Sequence, residues 1–154
     1  MSRAVTPTRQ LATFMAKYTP ALRAEAKRIH AKLRTLVPGA TELVYDNWNG
    51  LVIGFGPSEK ASHAVLSIIL LPKWVTLCFL YGAKLSDPSE RLRGSGNRVR
   101  NIRLMNGLRD LDDPEVRALI RASLASAPVP IDPVARRKLV IRSISPKQRP
   151  RRPG

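Results

Sequence analysis

A glycine-containing loop surrounded by arginines is the part of the sequence best suited to chemistry. It reads Gly94-Ser95-Gly96-Asn97-Arg98. Glycines allow successive backbone N–H groups to turn toward an anion, and nearby guanidinium groups add charge and paired donors. The loop lacks the Lys-Ser/Thr of a P-loop and the strand–turn–helix context of a dinucleotide fingerprint, so a plain glycine turn is the alternative interpretation. The candidate anion-binding residues are Arg91, Arg93, Gly94, Gly96, Asn97, Arg98, Arg100 and Arg103.

A second group of residues combines aromatic, polar and cationic side chains near two predicted turns. An indole ring stacks on bases or covers apolar ligands, although packing in the core or at its rim explains a tryptophan equally well. Asp46 lies in an otherwise apolar strand, and a buried carboxylate needs a cationic partner, for which we expect Arg98 or Arg100. The candidate pocket residues are Tyr45, Asp46, Asn47, Trp48, Lys73 and Trp74.

Signatures of catalysis or metal binding are not visible in the sequence. His30 and His63 are the only histidines, and neither has a cysteine or glutamate at ligand spacing. No Ser-His-Asp pattern stands out. Cys78, the single cysteine, falls in the middle of a predicted strand, where a buried and unreactive thiol is expected. We therefore expect a protein that is not an enzyme and that has no cofactor and no metal site.

The charge of the chain is its most unusual global property. Among 154 residues, 27 Lys and Arg stand against 11 Asp and Glu, a net charge of +16. Such a balance favours anionic partners, of which nucleic acid is the commonest, although a basic surface that only maintains solubility is the alternative. The first residues, MSRAVTPTRQL, contain no apolar run followed by a cleavage site, so we expect a cytoplasmic protein without a membrane partner.

Two apolar octets are the elements around which the predicted fold is built. Ala64–Leu71 and Trp74–Tyr81 are joined by Pro72-Lys73, which predicts a central β-hairpin. One face of this hairpin is wholly apolar and must meet the helices. The opposite face is mixed but still largely apolar, whereas a solvated face usually alternates with polar residues. We therefore expect a partner subunit, as in a homodimer, or the C-terminal segment to cover it.

The remaining pattern completes an α+β domain. Helical periodicity and N-cap signals predict helices over Thr8–Tyr18 and Pro20–Leu36, and a closing C-terminal helix over Pro114–Ala127. Asn49-Gly50 predicts a type I′ hairpin turn, and Val99–Leu104 an edge strand. The fold class is therefore α+β, with N-terminal helices, an antiparallel sheet of about five strands and the closing helix in residues 1–133. Residues 134–154 form a basic, Pro/Arg-rich tail, expected to be partly disordered, although Leu139–Ile144 is apolar enough to dock as a strand.

Several short motifs occur in a specific order and spacing along the chain. They are Pro38, Glu42-Leu43-Val44-Tyr45-Asp46, the apolar strands through Tyr81-Gly82, Leu85-Ser86-Asp87-Pro88, Leu92-Arg93-Gly94-Ser95-Gly96 and Val99-Arg100-Asn101-Ile102. Over roughly residues 10 to 125 this pattern resembles the YdhG-like family of small domains. The resemblance implies an α+β domain and, for some relatives, an iron-chaperone role like that of frataxin. Frataxin-type sites use carboxylates on the first helix and strand, whereas Pro20–Leu36 offers only Glu25 among five cations.

Three functions follow as expectations. The first is a non-catalytic binding domain for a polyanion, nucleic acid above all, that uses the Arg91–Arg103 segment, the basic helix and the tail. The second is a carrier of a small ligand or of iron, with the ligand near Tyr45, Asp46 and Trp74. The third is an interaction module that dimerises through the second face of the sheet.

Overall fold

The computed structural model describes residues 5–154 and has the α+β architecture that the sequence predicts. Short 3₁₀ turns at Ala61–His63, Gly82–Lys84 and Gly107–Asp112 connect the main elements. No helix within the described residues is both long enough and apolar enough to cross a bilayer. The helices are α1 (Pro7–Met15), α2 (Pro20–Leu36) and α3 (Pro114–Ser126), and the strands are β1 (Thr41–Asp46), β2 (Leu51–Gly56), β3 (Leu66–Leu70), β4 (Val75–Phe79), β5 (Arg100–Leu104) and β6 (Lys138–Ile144).

The two N-terminal helices begin at the same kind of signal. Thr6 and Thr19 each precede a proline, and their hydroxyl groups accept hydrogen bonds from the N–H groups of Arg9 and Leu22 at 3.2 and 3.3 Å. A threonine cap satisfies a free N–H group, and proline at the first helical position has no N–H group to satisfy. Helix α2 has the predicted bounds. Helix α1 ends at Met15, before the predicted Tyr18.

The sheet has six strands in the order β5-β4-β3-β2-β1-β6. The first five pair antiparallel with their sequence neighbours, as expected. The sixth strand, β6, pairs parallel with β1 at the edge of the sheet. The predicted number of about five strands therefore omitted one, which the tail supplies. Its apolar residues from Leu139 onward did indicate a docking strand.

The connection between β1 and β2 differs from the predicted type I′ turn. Neither Asn49 nor Gly50 has a positive φ. The loop instead spans Asn47–Gly50 and is closed by a 3.1 Å hydrogen bond from the N–H of Asn47 to the carbonyl of Gly50. Glycine is needed for space, because a Cβ at residue 50 would lie 2.5 Å from the carbonyl oxygen of Leu70.

All three helices pack against one face of the sheet. Alternate residues of β1 to β5, such as Val44, Ile53 and Leu77, are fully buried beneath helical residues such as Ile29 and Leu33. Tyr18 ties the two layers together. Its hydroxyl donates to the carbonyl of Leu70 at 2.8 Å and accepts from the N–H of Leu51 at 3.1 Å.

The opposite face is only half-buried along its centre, at Val52, Ile69 and Cys78. We call it the open face. At the end of this face near Gly54 and Gly56 it is covered by Ala64, which would lie 3.9 and 3.1 Å from Cβ atoms at these glycines, and Thr41 and Leu43 are buried there. The C-terminal segment, one of the two expected covers, extends the edge of the sheet as β6 instead, so that expectation was wrong. Cover by a partner subunit stays a prediction.

The tail is continuous with the folded domain, in contrast to the predicted boundary at residue 133. After β6, the N–H of Ser145 donates to the carbonyl of Asp46 at 2.8 Å, and the N–H of Arg149 donates to the carbonyl of Trp48 at 2.9 Å. Arg151 is 6% exposed. A basic segment expected to be partly disordered thus packs in place because its backbone and one of its arginines find acceptors on the β1–β2 loop.

Candidate anion-binding surface

The acidic residues neutralise only part of the positive charge. Eight lysines and arginines form ion pairs with carboxylates, and in the described chain the other cations do not. The paired cations are Lys17, Arg28, Lys32, Arg34, Arg91, Arg117, Lys138 and Arg151. Where the unpaired cations lie therefore decides which surface attracts anions.

The helix layer is less basic than its sequence suggests. In α2, Arg28 pairs with Glu25, Lys32 lies 3.8 Å from Asp112, and Arg34 pairs with Glu42. Three of the five cations counted on this helix are therefore neutralised.

Arg91 differs from the other arginines of the predicted anion site because carboxylates neutralise its charge. Its Nη1 lies 2.8 Å from Oδ2 of Asp113, at the N-terminus of α3, and 3.5 Å from Glu115. The hydrogen bond from Arg91 holds the pKa of Asp113 below its ordinary value. Arg91 thus ties the loop before β5 to α3.

The glycine loop retains features of an anion cradle. Gly94 has a φ of +122°, a conformation that favours glycine. In the described structure, the N–H groups of Ser95, Gly96 and Asn97 donate to no protein acceptor. The side chain of Arg100 holds the loop, donating from Nη1 to the carbonyls of Gly96 and Val99 at 2.5 and 2.9 Å. Its guanidinium is therefore partly occupied.

A cleft of about 510 Å³ lies beside this loop. It brings Gly94, Gly96, Asn97 and Arg98 together with Leu80, which continues the β4 pattern of the open face. Arg98 stacks on the ring of Tyr81 at 4.8 Å. The loop and its cleft therefore adjoin one end of the open face.

The open face carries no acidic residue on any of its strands. Arg103 and Asn101 of β5 lie at one margin, and Arg93, bridged to Asn101, continues it. Lys138 of β6 lies at the other margin, where its Nζ is 2.6 Å from the carboxylate of Glu59 in the loop after β2. The strand residues that alternate onto this face are Thr41, Leu43, Tyr45, Val52, Gly54, Gly56, Ser67, Ile69, Thr76, Cys78, Asn101, Arg103, Lys138, Val140 and Ser143.

Arg103 is held in position on this face by an aromatic ring. Its guanidinium lies 4.7 Å from the ring centroid of Trp74, whose Nε1 donates to Oγ1 of Thr76 at 3.2 Å. Such a contact orients the arginine without neutralising its charge. Arg142, at the irregularity where β6 shifts register against β1, adds an exposed cation at the opposite margin.

The six residues of the predicted pocket do not line one cavity. Tyr45 lies on the open face, Trp48 is 55% exposed beneath Arg149, and Asp46 is fully buried. The carbonyl of Asn47 accepts from Arg151. Only Lys73 and Trp74 share a cleft, and the tail forms its other side. The prediction grouped side chains that alternate between opposite faces of one strand.

Asp46 is bound by Lys17 and Arg151, and the expectation that Arg98 or Arg100 would pair with it was wrong. Lys17 Nζ lies 2.7 Å from Oδ2, and Arg151 Nη2 lies 2.9 Å from Oδ1. Burial raises the pKa of Asp46, but hydrogen bonds from Lys17, Gln148 and Arg151 more than offset this effect and leave the pKa below its ordinary value. Sequence reasoning missed Arg151 because nothing in the tail distinguishes it from Arg152.

The other carboxylates on the first strand and α2 are also bound by cations. Glu42, fully buried, contacts His30 at 2.7 Å and is bound by Arg34 through two hydrogen bonds. Glu25 accepts from Arg28 and from the N–H of Leu108. These are the positions where the resemblance to frataxin-like proteins implies iron ligands. In residues 5–154 no three histidine, cysteine or acidic side chains are grouped to hold a metal ion.

Comparison with protein-family models, curated proteins and solved structures finds no match to this chain. The resemblance to the YdhG-like family stays a prediction, and function is inferred from the geometry described above.

Proposed function

We propose that this chain is a non-catalytic binding domain for a polyanion, with single-stranded nucleic acid as the ligand that the open face suits best. The observation that carries the proposal is the composition of that face. It combines half-buried apolar side chains at its centre with exposed arginines at both margins, and its strands carry no acid.

Different groups on the open face suit the phosphates and the bases of a single-stranded nucleic acid. Phosphates are attracted to arginines that form no ion pair within the described chain, such as Arg93, Arg103 and Arg142, and the counterions that they displace make binding favourable at low salt. Unpaired bases bury their flat surfaces against apolar and aromatic side chains, for which Tyr45 and Trp74 are available. A rigid sheet presents these groups without ordering a loop.

The competing function for the same surface is homodimerisation. The half-buried apolar centre is the observation in its favour. However, two copies would bring Arg93, Arg103 and Arg142 of each chain toward a surface whose strands offer no carboxylate and whose neighbouring Glu59 is already paired with Lys138, and like charges oppose association. The charge pattern therefore favours a polyanion over a second copy. Sedimentation analysis distinguishes the two, because the polyanion proposal expects a species of 17.1 kDa without ligand.

The proposal is tested by the fluorescence anisotropy of a labelled single-stranded oligonucleotide at two salt concentrations. We expect binding to weaken steeply between about 50 and 200 mM salt. Replacing Arg93, Arg103 and Arg142 together by alanine should lower the slope of log K against log salt by about 2, at about 0.7 per lost phosphate contact on single strands.

The matched control removes three cations from the helix layer, Arg9, Arg23 and Lys27, which likewise form no ion pair with described residues. This variant should keep most of the wild-type slope. Absence of binding at low salt would remove the polyanion function. Equal losses in the two triple variants would leave binding in place but remove the open face as its site.

A further inference from the structure

We propose that a cleft between the β3–β4 turn and the tail binds one nucleotide unit, meaning an aromatic base that carries a phosphate. The inference rests on the proposed function, because it assigns one defined site to a ligand that otherwise contacts an extended surface. The cleft has a volume of about 360 Å³. Ligand pockets commonly fall between about 300 and 1,000 Å³, so one nucleotide is a suitable occupant.

The lining of the cleft divides into two kinds of side chain. Pro72, Trp74 and Pro150 provide apolar surface, and Lys73, Arg149 and Arg152 provide positive charge. No aspartate or glutamate lines the cleft, and the single carboxylate at its edge is the terminal one of Gly154, against three cationic side chains. An inorganic anion would use only the cations, and an uncharged aromatic molecule only the apolar side. A nucleotide uses both, since its base is flat and apolar and its phosphate accepts hydrogen bonds from several cations.

Arg149 is positioned before any ligand arrives. Its guanidinium stacks on Trp48 at 5.2 Å, its Nη1 donates to Oδ1 of Asn49 at 3.0 Å, and its backbone N–H donates to the carbonyl of Trp48. None of these contacts neutralises the charge. A cation held in this way loses little conformational entropy when it binds phosphate.

Arg152 is held in a comparable way, since its Nε donates to the carbonyl of Lys17 at 3.2 Å. Between the two exposed arginines, Arg151 is buried against Asp46. This buried pair holds the tail backbone against the β1–β2 loop, and both Arg149 and Arg152 line the same cleft.

Trp74 is also fixed in place. Its ring carries Arg103 at 4.7 Å, and its Nε1 is hydrogen-bonded to Thr76. A ring that is immobilised by its neighbours is a suitable platform for a stacked base. Trp74 lines the cleft and also contacts Arg103, which lies at the margin of the open face. A nucleic-acid strand that lies across the open face can therefore place one nucleotide in the cleft.

The test uses the full chain, isothermal titration calorimetry and three probes: adenosine 5′-monophosphate, adenosine and inorganic phosphate. We expect the monophosphate to bind at least about tenfold more tightly than either part, because only the monophosphate engages both the cations and the apolar side. Quenching of the two tryptophans, one in the cleft and one beneath Arg149, gives an independent readout.

Three single variants locate the site. K73A and R149A should each weaken monophosphate binding by about five- to tenfold, the loss expected for one charge-assisted contact of 1 to 1.4 kcal/mol. K84A removes an exposed cation that forms no ion pair within residues 5–154, and it should leave the affinity unchanged. Thermal unfolding of each variant checks that the fold is retained.

A 5′-phosphorylated oligonucleotide distinguishes the source of the ligand. Competition with the monophosphate identifies the site as one position along a bound strand, and absence of competition identifies a site for free nucleotide. If the monophosphate binds no more tightly than phosphate, or if K73A and R149A behave like K84A, the cleft is not a nucleotide site. Oligonucleotide binding without monophosphate binding would overturn the cleft alone, and the absence of oligonucleotide binding at low salt would overturn the proposed function.

Discussion

Arg151 donates a 2.9 Å hydrogen bond from Nη2 to Oδ1 of Asp46, which lies 105 residues earlier in the chain. Both side chains are withdrawn from solvent, with exposures of 4% and 0%. A buried charge is tolerated only when it is paired and hydrogen-bonded, so this pair determines where the tail lies. The tail in turn forms one side of the cleft at Lys73 and Trp74, and it includes β6, which borders the open face.

Replacement of Arg151 by alanine should destabilise the protein far more than the same replacement at the next residue. R151A leaves Asp46 with Lys17 as its only cation, and we expect a loss of about 3 kcal/mol, the lower end for breaking a buried ion pair. Arg152 is exposed, so R152A should change the free energy of unfolding by less than about 0.5 kcal/mol. Urea denaturation measures both, and equal midpoints would show that the buried pair does not anchor the tail.

Asp46 should also make stability depend on pH in the acid range. Its pKa is lowered in the folded protein, so the unfolded chain takes up the proton first as the pH falls. The stabilisation from Asp46 is complete above the unfolded pKa of about 4 and is lost as the pH falls through the folded value. We therefore expect the free energy of unfolding to decline below about pH 5 and the decline to be shallower in D46N.

The matched control for this experiment is E90Q, which also removes one negative charge but at an exposed glutamate that forms no ion pair within the described chain. Its pH profile should follow that of the wild type. Glu42, whose pKa is lowered by His30 and Arg34 against the opposing effect of burial, should account for part of the slope that D46N retains. Parallel profiles for D46N and the wild type would contradict the assignment.

The hydroxyl of Tyr18 should contribute more to the free energy of unfolding than the exposed hydroxyl of Tyr81. Burial raises the pKa of Tyr18, which keeps the hydroxyl neutral and able to donate. Y18F would leave the carbonyl of Leu70 and the N–H of Leu51 without their partner, at a cost of about 1 to 3 kcal/mol. Y81F removes an exposed hydroxyl that donates to Ser62, and should cost less than about 0.5 kcal/mol. Chemical denaturation of the two variants gives the comparison.

The local elements of the fold could be predicted because their signals are local. Thr19-Pro20 determines where α2 begins, and the apolar runs on either side of Pro72-Lys73 specify the central hairpin. The parallel pairing of β6 with β1 depends on contacts across about a hundred residues, which no periodicity reports. The predicted type I′ turn at Asn49-Gly50 was wrong. Residue 50 is a glycine because a Cβ there would clash with the carbonyl of Leu70, and its φ is not positive.

The candidate site was predictable in composition but not in geometry. Arg93, Arg98 and Arg103 are exposed, as an anion-binding surface requires. The sequence could not show that Arg91 pairs with Asp113, because the two residues meet only when α3 docks. It could not distinguish Arg151 from Arg152 either, since adjacent arginines differ only in which one reaches the buried carboxylate of Asp46.

Cys78 provides the most direct test of the central claim, that the open face binds the polyanion. It is the only cysteine and lies half-buried near the middle of that face, opposite Ser67 and Asn101. Burial raises the pKa of its thiol, so alkylation by a maleimide should be slow enough to follow. With oligonucleotide at about ten times its Kd, a bound strand should slow the reaction about tenfold, and about 1 M salt should restore the original rate. An unchanged rate in the presence of demonstrably bound oligonucleotide would contradict the account and place the nucleic acid elsewhere on the protein.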